Sequence, residues 1–202
     1  MVTIIDMGLG NVSSVHKALK HLNVKNIVSS DVSDLCRAEK LIFPGVGNFY
    51  EASRRLYSSG MAEAIREEVL GKKKPLLGIC LGMQLLASSG EEGGESKGLD
   101  LINARVKKLK SEEMGLRLPH VGWNDISSSM KLFANMDDGA CFYFVHSYAM
   151  VLHEPVENAI CNYGEDFIAA VKKDNIVGVQ FHPEKSQQYG MQILKDFSSG
   201  EF

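Results

Sequence analysis

The sequence predicts an α/β fold: an open parallel sheet with helices on both faces, and a small antiparallel sheet added toward the C-terminus. Three observations predict it. In the N-terminal half, short apolar runs alternate with stretches in which apolar residues recur every three or four positions, the β-α-β-α-β-α order of a parallel sheet. The runs end in glycine-bearing turns, among them Gly8-Leu9-Gly10-Asn11 and Pro44-Gly45-Val46-Gly47. Beyond Leu101 short strands follow one another closely, with Asp174-Asn175 between two of them as a hairpin turn. At 202 residues, with no internal repeat or long linker, the chain is expected to form one domain, residues 1–202.

In order, Val2 to Asp6 reads as a buried first strand. Val12, Val15, Leu19 and Leu22 then recur at helical spacing, with Asn11 or Ser13 as cap. The glycines at 8 and 10 resemble part of a dinucleotide fingerprint, but the third glycine and the ribose-binding acid are missing, which excludes a nucleotide there. Asn26 to Ser29 and Lys40 to Phe43 read as the second and third strands. Met61, Ile65 and Val69 mark a later helix, and Lys72-Lys73-Lys74 is expected to be its solvated end. Pro75 to Cys80 is the next strand, with a helix expected from Leu81 to about Ser88-Ser89-Gly90. Glu91 to Gly98, acidic and glycine-rich, reads as a loop. Leu101 to Lys110, Cys141 to Tyr148, Ala159 to Tyr163, Ile168 to Lys172 and Ile176 to Phe181 read as strands, and Tyr189, Ile193 and Phe197 mark a closing helix.

Composition excludes several classes. A 45% apolar and 23% charged chain buries an ordinary core, and a net charge of −3 offers no basic field for nucleic acid. No basic leader precedes Val2, and no apolar run approaches the length of a membrane span. Cys36, Cys80, Cys141 and Cys161 are scattered, which argues against a disulfide framework or a zinc site. A reduced cytoplasmic enzyme without metal or cofactor is expected.

Gly78-Ile79-Cys80-Leu81-Gly82 is the cysteine form of a nucleophile elbow, a sharp strand-to-helix turn. Gly78 and Gly82 stand where a side chain would collide with the turn. The elbow lifts the sulfur from the sheet, leaves the Leu81 N–H facing the same space, and sets Cys80 at a helix start that favours thiolate. Alone, Cys80 fits a small core residue equally. What it needs is a base. His182-Pro183-Glu184 supplies one: a carboxylate two residues from an imidazole holds it in one tautomer, and the proline stiffens the turn between them.

These residues belong to six motifs: Met7-Gly8-Leu9-Gly10-Asn11, Pro44-Gly45-Val46-Gly47, Gly78-Ile79-Cys80-Leu81-Gly82-Met83-Gln84, Pro119-His120-Val121-Gly122-Trp123-Asn124, Phe144-Val145-His146-Ser147-Tyr148 and Gln180-Phe181-His182-Pro183-Glu184-Lys185-Ser186. On them the chain resembles, over essentially its whole length, the triad (class I) glutamine amidotransferases, whose core is flavodoxin-like. Within these it is similar to the glutaminase subunits of imidazole glycerol phosphate synthases. The resemblance implies that Cys80 attacks the side-chain amide of glutamine, that His182 carries the proton and that Glu184 orients it. It implies an oxyanion hole from the N–H groups of Leu81 and Val46, and substrate contacts from Gly47, Gln84, Val145, His146 and Ser147. It further implies that ammonia passes to a (β/α)₈-barrel cyclase subunit in a heterodimer, which makes imidazole glycerol phosphate and AICAR in histidine biosynthesis. Asn11, Lys185 and Trp123, the last in a turn-like segment, are then interface candidates.

Gly93-Gly94-Glu95-Ser96 matches a glutamine-loop sequence of the pyridoxal-phosphate synthase glutaminases, but it follows the elbow instead of preceding it and is read as coincidence. Two alternatives remain at this stage. The same glutaminase chemistry can feed a surface-sugar amidotransferase, and a flavodoxin-like cysteine sensor would share the core. His182-Pro183-Glu184 weighs against the sensor.

Overall fold

A computed structural model describes residues 1–137 and 139–202. In chain order its strands and helices are β1 (Val2–Ile5), α1 (Val12–His21), β2 (Asn26–Ser29), α2 (Val32–Arg37), β3 (Lys40–Gly45), α3 (Phe49–Ser58), α4 (Met61–Arg66), β4 (Leu76–Cys80) and α5 (Leu81–Gln84). There follow β5 (Ala87–Gly90), β6 (Ser96–Lys97), β7 (Ile102–Lys108), β8 (His120–Asp125), β9 (Ser127–Ser128), β10 (Cys141–His146) and β11 (Tyr148–Leu152). Last come β12 (Glu157–Asn162), β13 (Asp166–Lys173), β14 (Ile176–Val179) and α6 (Gln187–Ser199).

One eight-stranded sheet runs β2-β1-β3-β4-β14-β13-β12-β9. Its first five strands are parallel and the rest antiparallel. β1 and β4 are buried along their whole length, as a strand covered on both faces must be. Val15 and Leu19 of α1 pack with Ile193, Leu194 and Phe197 of α6 on one face. Phe49, Ala52 and Leu56 of α3 pack with Met61 and Ile65 of α4 on the other. The side chains of Asn11, Asp31 and Asn48 cap α1, α2 and α3, fixing three helix starts just past the carboxyl ends of β1, β2 and β3. Among the described residues, no helix is long and apolar enough to cross a membrane.

Six expectations are corrected. The helix after the elbow is the single turn α5, and Ala87–Gly90 is a strand. The carbonyls of Leu85 and Leu86, which would carry the helix on, instead accept from Leu99 (2.7 Å) and from Leu101 and Ile102 (2.9 and 3.0 Å) on the returning chain. Ser96–Lys97, read as loop, pairs with that strand. The Cys141–Tyr148 run is broken at Ser147: β10 pairs with β8, whereas β11 pairs with β7 in another sheet. Trp123 lies within strand β8, opposite Tyr143, and not in a turn. Lys74 is buried instead of solvated, its ammonium bonded to the Leu35 and Cys36 carbonyls and paired with buried Glu68 at 2.7 Å. The antiparallel strands are also less separate than expected, since β13, β12 and β9 continue the main sheet beside β14.

Candidate active site

β4 delivers Cys80 at the carboxyl edge of the sheet with φ 54° and ψ −111°, a backbone state costly for any residue with a Cβ. The glycines permit the approach. A Cβ on Gly82 would lie 1.8 Å from the Phe43 carbonyl oxygen, and one on Gly78 2.8 Å from that of Gly82. Leu81 is the first residue of α5, so its N–H has no carbonyl in its own helix to bond. With only one turn behind it, the helix dipole contributes little at Cys80.

The base is positioned by β14 and the turn after it. His182 and Glu184 are each 2% exposed, and the Nδ1–H of His182 donates to Glu184 Oε1 at 2.9 Å. His182 Nε2 is buried and, among the described residues, has no hydrogen-bond partner, which leaves it open to exchange a proton with a bound group. The turn is stapled to β10: the His182 N–H donates to the Tyr143 carbonyl (2.9 Å), the Tyr143 N–H to Ser186 Oγ (3.0 Å), and Ser186 Oγ–H to the His182 carbonyl (2.6 Å). Burial works to lower the imidazole's pKa, but the adjacent Cys80 and Glu184 overcome it and raise the pKa to about 9. At neutral pH the ring is a cation beside the sulfur, suited to protonate a leaving amine.

A stability prediction follows from that shift. The native state holds a proton that an unfolded histidine, with a pKa of 6.5, releases. His182 therefore contributes its full stabilisation below 6.5 and loses it as pH rises through about 9. Denaturation midpoints measured across this range should fall with pH, and His182→Gln should flatten that part of the fall.

Val46, Gly47, Cys80, Leu81, Gln84, Val145, His146 and Ser147 all line one cavity of about 160 Å³, joined there by Glu92 and Tyr148. Drug-sized pockets run to roughly 300–1,000 Å³, so this one suits a small metabolite. The cavity thus gathers Cys80 and the expected oxyanion and substrate residues, with the base against the same sulfur. Val46 is the exception in detail. Its N–H is donated to the Leu9 carbonyl at 3.0 Å, so it does not serve as an oxyanion donor in this conformation. His146 offers the cavity its backbone, because its ring turns inward: Nδ1–H donates to the Tyr148 carbonyl (2.9 Å) and Nε2 meets His120 Nδ1 (3.3 Å). Burial lowers the pKa of His146 to about 3 and that of His120 to about 4, so both rings are neutral near pH 7.

Three residues at the site lie outside the expected set: Tyr148, which lines the cavity, Glu92 and Gln180. Glu92 lies in the acidic loop after β5, yet it lines the cavity, accepts the Phe49 N–H at 2.9 Å, and has its pKa raised by burial. Gln180 belongs to the motif that carries His182 and Glu184. It is fully buried and contacts both Gln84 and Cys80. Of the interface candidates, Trp123 is 48% exposed with its ring 6.0 Å from Tyr143, and the Lys185 ammonium stands 5.5 Å from the same ring. Asn11 is exposed and engaged as the cap of α1.

An elbow cysteine thus opens on one small cavity at the edge of an open α/β sheet, with a carboxylate-paired histidine beside it. The chain belongs to the glutamine amidotransferase class-I family, whose model matches residues 3–199. Within that family it is 46% identical over 198 residues to the imidazole glycerol phosphate synthase subunit HisH of Yersinia pseudotuberculosis, covering 97% of each chain. It is 44% identical over 199 residues to the same subunit of Moorella thermoacetica (97% of this chain, 93% of the relative). It is 42% identical over 199 residues to subunit HisH 1 of Campylobacter jejuni, covering 98% of both. Among solved structures it superposes on a glutamine amidotransferase with a TM-score of 0.76 at 19% identity, covering 98% of both chains. A glutamine amidotransferase from Thermotoga maritima gives 0.64 at 19% identity, over 99% of this chain and 84% of that one. These two likenesses concern the fold.

Proposed function

We propose that this chain, as a single domain, is the glutaminase subunit of an imidazole glycerol phosphate synthase in histidine biosynthesis. The observation that carries the proposal is Cys80 in its strained elbow, opening on a cavity with His182 behind it. The Cys80 thiolate adds to the amide carbon of glutamine. His182 gives its proton to the amide nitrogen, the C–N bond breaks, and ammonia leaves a γ-glutamyl thioester. His182 then takes a proton from water, which adds to the thioester, and glutamate departs as the thiolate re-forms. Within the cavity Gln84, Glu92 and the backbone of residues 145–147 hold the amino-acid end of the substrate, with Glu92 facing its ammonium.

The tetrahedral oxyanion takes the Leu81 N–H and, once freed from Leu9, the Val46 N–H. Losing one such donor typically costs about 2.7–4 kcal/mol in the barrier, so the resting Val46–Leu9 bond keeps the isolated subunit slow. The partner is a (β/α)₈-barrel cyclase subunit in the cytoplasm, docked over Asn11, Trp123 and Lys185. Since Lys185 follows Glu184 directly and shares Tyr143 with Trp123, a partner on this face bears on the catalytic turn. Glutamate release should be slow for the chain alone and rise by roughly 10²–10³-fold with the barrel subunit and its nucleotide, the effect of regaining one oxyanion donor. Equal rates with and without that partner would contradict the pathway assignment, and activation by a different amidotransferase partner would redirect it.

A further inference from the structure

We infer that Gln180 is a positioning residue for this reaction, setting both the orientation of the Gln84 amide and the polar environment of the Cys80 sulfur. The inference rests on the glutaminase reading and deepens it.

Hydrogen-bond chemistry fixes the direction of every amide in the chain of contacts. The Tyr148 carbonyl is a main-chain acceptor, so the Gln84 atom 2.8 Å from it is an N–H donor, Nε2. The same nitrogen lies 3.1 Å from the Gln180 amide, which must therefore present its oxygen, Oε1. Gln180 Nε2 is thereby turned to Cys80 Sγ, at 3.8 Å, as a donor. The anchor of the series is rigid, since the Tyr148 carbonyl also accepts from His146 Nδ1 at 2.9 Å. Gln180 is equally constrained, fully buried with its backbone N–H on the Ala169 carbonyl at 2.8 Å.

Two consequences follow. With both N–H groups committed, Gln84 has only its Oε1 to offer the cavity, an acceptor suited to an α-ammonium. Without Gln180 Oε1, the Gln84 amide loses one of the two acceptors that forbid it to flip, and a flipped amide would turn an N–H toward that ammonium. At the other end, the Gln180 N–H is directed at the Cys80 sulfur, where it can stabilise negative charge that develops there during the reaction. A residue that only filled the core would need no amide here, because a buried amide is tolerated only when both ends are bonded.

The test compares Gln180→Met and Gln180→Glu in the complex with the barrel subunit. The readouts are kcat and KM for glutamine, the preference for glutamine over glutaramate (which lacks the α-ammonium), and the pH profile of Cys80 alkylation by iodoacetamide. Gln180→Met should raise KM about tenfold, narrow the preference for glutamine, and move the alkylation profile alkaline by about one pH unit. Gln180→Glu keeps an acceptor for Gln84 and, as a carboxylate, removes the N–H to sulfur. It should leave KM within about twofold while lowering kcat and shifting alkylation in the same direction. Unchanged preference and an unchanged alkylation profile in Gln180→Met would overturn the inference. If that variant does not fold, an unchanged profile in Gln180→Glu does so. Alkylation reads the sulfur without requiring turnover, so a failed inference is distinguishable from an absent glutaminase activity.

Discussion

Cys80→Ala should abolish glutamine hydrolysis, lowering kcat by roughly 10⁴-fold or more, because among the described residues no second thiol lines the cavity. Cys80→Ser should be nearly as inactive, since a hydroxyl beside His182 is far harder to ionise than a thiol. Both should still bind glutamine, whose amino-acid end we propose to be held by Gln84, Glu92 and the 145–147 backbone, and titration calorimetry on the complex checks this. The elbow adds a stability signature. At φ 54° and ψ −111° a residue with a Cβ is strained, by an amount of order 1–3 kcal/mol. Cys80→Gly should therefore melt higher than Cys80→Ala while being equally inactive. The reverse order would mean that the backbone at Cys80 is not under strain.

Gly82→Ala should be the most damaging small substitution in the elbow. Its methyl group would sit 1.8 Å from the Phe43 carbonyl oxygen, a backbone atom of β3 that cannot rotate away. Overpacking a well-filled site costs typically about 1–3 kcal/mol, and a clash with backbone belongs at or above the top of that range. Gly78→Ala, with its nearest contact at 2.8 Å, should cost less, and Gly45→Ala, at 3.1 Å from the Leu81 side chain, less again. Urea midpoints in the order Gly45→Ala, Gly78→Ala, Gly82→Ala from highest to lowest check the account. The shift of β3 relative to β4 should also disturb the Gly45–Gly47 segment, so Gly82→Ala should lose partner-stimulated activity even where it remains folded.

How much of this was legible in the sequence differs by element. The parallel half was readable because buried strands are continuous apolar runs and their covering helices carry a period near 3.6. Cys80, His182 and Glu184 were readable because strained turns and oriented imidazoles require particular residues at fixed short spacings. The short elbow helix was not, because Met83, Leu85, Leu86 and Ala87 are buried on all sides and an all-apolar stretch has no period to read. Only the long-range bonds from Leu99, Leu101 and Ile102 decide it. The break at Ser147 was equally invisible, since local composition does not say which sheet a strand joins. Glu92 reaches the cavity through the backbone of α3, Gln180 through contacts about a hundred residues away in sequence. The resting state of the Val46 N–H depends on one carbonyl of another loop, which no motif encodes.

The central claim is that Cys80 is the nucleophile of a glutamine-specific site. Its most direct test is to inactivate the complex with a diazoketone analogue of glutamine and map the label by peptide mass spectrometry. One label per chain on Cys80, excluded by glutamine and absent in Cys80→Ala, is the expected result. Inactivation with Cys80 unmodified, or with the label on Cys36, Cys141 or Cys161, would contradict it.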